Sequence, residues 1–68
     1  MSDVARVTEM SARSSESMEG VVKFGIERAT HTLHGVRTGW VKEQQVTVDD
    51  EGHIAEYQVN LMVTFVLD

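Results

Sequence analysis

The sequence has no cysteine and no proline, only four aromatic residues, and few bases. The missing cysteines exclude disulfides and thiolate metal sites. Without proline, Gly/Ser-rich linkers or repeats nothing marks an internal boundary, so residues 1–68 are expected to form one domain. Six Lys and Arg against eleven Asp and Glu leave a net charge of −5. That balance argues against a nucleic-acid binder, because phosphate affinity comes from clustered bases. No apolar run approaches a membrane span, and Met-Ser-Asp-Val-Ala-Arg at the start has no signal-peptide character. A soluble, cytoplasmic protein is the expectation. His31, His34 and His53 show no metal-ligand spacing. No nucleophile–base pair stands out, and Glu43 with the scattered histidines has no catalytic spacing, so an enzyme is not expected. A core built from so short a chain is marginal. With disulfides and metal set aside, oligomerisation is the remaining source of stability.

What the chain does have is an alternation. In Tyr57–Leu67 the odd positions Tyr57, Val59, Leu61, Val63, Phe65 and Leu67 are all apolar, and Gln58, Asn60, Met62, Thr64 and Val66 are mixed. Alternate residues of a strand face opposite sides, so this is a strand with one greasy face. Its β-branched content and length suit the centre of a sheet.

The remaining elements follow from changes of period. Val4–Met10 reads as a short first strand, and Ser11–Ser17 as a polar turn with Ser14 as helix N-cap. Glu16 and Glu19 would then lie in the positive first turn. From about Ser17 to His34, Met18, Val21, Val22, Gly25, Ala29 and Leu33 recur at helical steps, with Val36 continuing the series. Gly25 and Ala29 allow close approach to a sheet, and Gly35 stops the helix. Phe24 falls off the stripe, as a partly exposed aromatic or a contact with another subunit. Arg37–Val48 is a second strand, Asp49-Asp50-Glu51-Gly52 a hairpin turn, and His53–Leu67 the third strand. The expected fold is α+β, in the order β-α-β-β, with the third strand central in a sheet ordered 1-3-2.

One helix covers one side of such a sheet. If Val41 faces the helix, flanked by Gly39 and Glu43, the open face carries Thr38, Trp40, Lys42 and Gln44 beside Gln58, Asn60, Met62 and Thr64. A flat aromatic among amides suits the stacking of a planar heterocycle. Tryptophan is equally a common anchor of subunit interfaces.

These segments resemble the dodecins, small flavin-binding proteins that assemble as hollow dodecamers. The resemblance rests on Val-Thr-Glu-Met in the first strand, Ile26–Leu33 in the helix, Val41-Lys42-Glu43-Gln44, Gly52-His53-Ile54 and Tyr57-Gln58-Val59. It runs from about Val4 to Leu67, almost without gaps. It implies a homododecamer that stores FMN or riboflavin, with Gln58 in place of the family's flavin-bonding glutamine. In flavin-binding dodecins a tryptophan opens the second strand, and two flavins stack between two such rings across a twofold axis. Here Thr38 occupies that position, and Trp40 stands two residues later, roughly 7 Å along the strand. The basic residue that many bacterial members carry near the end of the third strand is Val66 here. The resemblance thus assigns Gln58, Trp40 and Thr38 to a flavin site. Its alternative is a dodecin-fold scaffold that has lost flavin and binds an ion such as calcium or another small ligand. The turn Asp49-Asp50-Glu51 is the acidic stretch that invites calcium, although adjacent acids in one turn supply too few converging oxygens, and such a turn is commonly a solvated loop.

Overall fold

The computed structural model describes residues 2–67. The elements run β1 (Ala5–Ser14), α1 (Met18–Thr32), β2 (Val36–Val48) and β3 (Ile54–Val66). The sheet is ordered β1-β3-β2, and β3 pairs antiparallel with both neighbours. The expected α+β topology is the observed one.

The alternation of β3 sets the core. Val59, Leu61 and Val63 are fully buried beneath α1, together with Ala12, Val21 and Ala29. Tyr57 and Phe65 on the same face are half-buried. Leu67 lies past the end of the strand and is exposed, so the greasy row ends two residues short of its expected length. The helix meets this row where its side chains are smallest. A Cβ on Gly25 would lie 2.5 Å from Leu61 Cδ1 and 3.3 Å from the Ala12 Cβ. Leu61 is enclosed and cannot swing away, so Gly25→Val is expected to lower stability by about 1–3 kcal/mol through overpacking. Chemical denaturation measures this, and a midpoint equal to that of the parent would contradict the packing described. Ile26, which the stripe omits, is also partly buried against the core.

Three boundaries differ from expectation by more than one residue. β1 continues to Ser14, because Ser11, Ala12, Arg13 and Ser14 pair with Asn60, Val59, Gln58 and Tyr57. Serines favour turns by bonding their own backbone, but a ten-residue ladder with β3 outweighs that preference. The N-cap is therefore Ser17, whose hydroxyl accepts from the Gly20 N–H at 2.9 Å. Ser14 instead accepts from the Glu16 N–H at 3.1 Å, and the acid in the first turn is Glu19 alone. At the far end Leu33 is the C-cap, and Gly35 follows with φ +73°, turning the chain into β2 while its carbonyl accepts from the Val66 N–H.

Candidate functional site

The helix leaves the other side of the sheet open, and this face holds the residues of interest. Trp40 is paired with Met62, and Thr38 with Thr64. Trp40 has 49% of its surface exposed. Its ring is thus flanked along β2 by the Thr38 hydroxyl and across the sheet by the half-buried Met62 thioether.

Past Trp40 the strand is irregular. Val41 pairs with Leu61 and Glu43 with Asn60, which leaves Lys42 as an extra residue in a bulge. A bulge shifts the alternation by one. Glu43 and Gln45 therefore share the register of the open face, opposite Asn60 and Gln58, whereas Gln44 lies opposite the buried Val59. The expected places of Glu43 and Gln44 are exchanged, because strict alternation cannot anticipate an inserted residue.

The bulge also builds a polar network. Lys42 Nζ reaches over β3 to Glu9 Oε1 at 3.1 Å, and the Asn60 amide donates to Glu9 Oε2 at 3.3 Å. Ser11 Oγ and Gln58 Nε2 both donate to Asn60 Oδ1, at 3.3 and 3.5 Å. Ser11 escaped the sequence reading, which stopped β1 at Met10, and Glu9, inside that strand, was given no partner there. Their signal was the pattern Glu9, Ser11, Arg13 against Met10 and Ala12. Gln58 is half-buried at the edge of this network, and among the described residues its amide oxygen accepts no hydrogen bond.

The three predicted site residues share the open face but do not converge. Thr38 and Trp40 are neighbours. Gln58 lies four residues from Met62, the partner of Trp40, which is about 13 Å along β3. Within one chain the amide of Gln58 is therefore not beside the Trp40 ring.

The acidic turn is organised internally. Asp49 Oδ1 accepts from the N–H groups of Glu51 and His53, both at 2.9 Å, and Gly52 follows with φ +85°. Among the described residues no group of three His, Asp or Glu side chains is arranged to hold a metal ion.

The family model named Dodecin matches residues 4–68. The chain belongs to the dodecin family. Solved structures agree with that membership. Dodecin from Streptomyces davaonensis is 35% identical and superposes with a TM-score of 0.90, covering 100% of this chain and 98% of its own. The tt0972 protein of Thermus thermophilus is 33% identical, with a TM-score of 0.87 over 98% of this chain and 97% of that one. A calcium-chelating antigen of Mycobacterium tuberculosis, calcium dodecin, is 29% identical with a TM-score of 0.80, covering 96% and 91%. No curated protein sequence matches the chain. Among the described residues of this dodecin no helix is long and apolar enough to cross a membrane.

Proposed function

We propose that this dodecin is a cytoplasmic flavin-binding and storage protein, sequestering FMN or riboflavin in a hollow homododecamer. The observation that carries the reading is the Trp40 ring, half exposed on the sheet face that α1 leaves open. Tryptophan is enriched where proteins bind partners. The donor and acceptor set fits an isoalloxazine: a flat aromatic for its face, and in Gln58 an amide oxygen free to accept from an imide N–H. The 13 Å between the two within one chain supports a site shared between copies. In a twofold contact each copy offers the same patch to the other, so Trp40 of one copy works with Gln58 of its partner. Thr38 and Met62 border the ring, and the Lys42–Glu9 pair keeps the adjoining surface polar without leaving it a net charge. A bound flavin would supply the isoalloxazine ring whose excited state the indole quenches on stacking. No step in this role requires a nucleophile or a base.

Titration of riboflavin or FMN with the protein, followed by flavin fluorescence, tests the reading. Quenching that saturates at a fixed stoichiometry is expected. A colourless protein that leaves flavin emission unchanged would favour the second reading, a dodecin scaffold without flavin that binds calcium or another small ligand. That reading is supported by Thr38 and Val66, which lack the ring and the base of flavin-binding members. The position of Thr38 gives a further prediction. Thr38→Trp should tighten flavin binding by about 0.5–1.5 kcal/mol per stacked pair, or roughly 2–12-fold. Unchanged affinity in an intact assembly would refute this account of the site.

A further inference from the structure

The molecule is elongated, 54 × 19 × 14 Å. β1 ends where Ser14 meets Tyr57, so residues beyond that rung belong to β2 and β3 alone and form a two-stranded arm. Two-stranded ribbons are marginal in water by themselves. This one carries exposed Val48 and Ile54, with exposed Val46 at its base, and ends in Asp49-Asp50-Glu51. Along the other edge of the sheet, a groove of about 530 Å³ lies between the free edge of β1 and α1. Met10, Ala12 and the exposed ring of Phe24 form its apolar part, and Arg13 and Arg28 flank it. Among the described residues neither arginine has an ion-pair partner, the pairs being those of Lys42 and His53. An apolar arm with an acidic tip and an apolar groove with basic walls are complementary.

Their spacing agrees as well. Phe24 and Arg28 are one helical turn apart, about 6 Å along α1. Val48 ends β2 and Asp50 follows in the turn, two residues on and at most roughly 7 Å away. We propose that the β2–β3 arm of one copy docks in the β1–α1 groove of the next, with Val48 against Phe24 and the acids of the turn on Arg13 and Arg28. The contact is head-to-tail and closes into a ring when the rotation between copies permits. It explains Phe24, the arginines and the bare arm together. The inference deepens the assembly half of the proposed function and rests on it, and it makes no use of flavin.

Charge reversal tests the contact, with mass by light scattering as the readout in flavin-free buffer. Asp49 is left in place because it holds the turn. Arg13→Glu with Arg28→Glu is expected to shift the assembly towards the 7.6 kDa chain. Adding Asp50→Arg and Glu51→Arg to that variant is expected to restore the larger mass. Full mass in the first variant, or no recovery in the second, would overturn the proposal. A milder variant guards against misfolding. The parent has no cysteine, so Arg28→Cys with Asp50→Cys can form only engineered disulfides. Within one chain Arg13, beside Arg28 in the groove wall, pairs with Gln58, about 13 Å short of Ile54 and the turn. That exceeds the Cα reach of a disulfide, about 7 Å. Oxidation should therefore link different copies, and a product that runs only as monomer would equally overturn the docking. Flavin quenching is scored separately, so failure of this contact and failure of the flavin reading are distinguishable.

Discussion

Leu61→Ala is expected to lower the stability of the chain by about 2–5 kcal/mol. Leu61 is the largest fully buried side chain, 1% exposed, at the centre of the central strand. It fills the space that Gly25 leaves in α1 and lies between Met10 of β1 and Val41 of β2 in the ladder. Removing its isobutyl group loses the transfer free energy and leaves a cavity. That cavity cannot readily collapse, because the helix is already at its closest approach. Folded domains are stable by only about 5–15 kcal/mol, and one this short sits low in that range. The variant should therefore melt well below the parent, or persist only in the assembled state. Thermal denaturation by far-UV circular dichroism at several protein concentrations checks this. A melting temperature equal to the parent's would show that the core does not hinge on this residue.

Trp40→Ala is expected to remove flavin quenching while leaving the assembly mass intact. Truncating a central tryptophan in a binding contact commonly costs about 2 kcal/mol or more, which is roughly a 30-fold loss of affinity. Trp40 lies outside the core, on the open face, so the fold itself should survive the change. Mass and quenching measured on one sample separate the two roles of the ring. If the ring is an interface anchor, the mass falls. If it is a stacking wall, the mass holds and quenching disappears. A loss of mass, in a protein whose parent form binds no flavin, would remove the flavin site and leave the scaffold reading standing.

The sequence alone was enough for the β-α-β-β order, the central place of β3 and the face it buries. Each rests on a local period: every second residue from Tyr57 to Phe65, every third or fourth from Met18 to Leu33. Such periods are properties of adjacent residues and survive any tertiary arrangement. The same holds for family membership, which was legible in short contiguous segments such as Tyr57-Gln58-Val59. What tertiary structure decided was everything that depends on a pairing partner. Ser11–Ser14 has the composition of a turn, and only the presence of Tyr57–Asn60 alongside makes it strand. The bulge at Lys42 exists because β2 must keep register with β3 on both sides of one extra residue. It turned Glu43 towards the open face, Gln44 away from it, and delivered Lys42 to Glu9, residues 33 positions apart. The separation of Trp40 from Gln58 likewise follows from register, since shared parity places residues on one face and says nothing of their distance along it. The parity of β3 was written in the sequence, and its partners and the bulge in β2 were not.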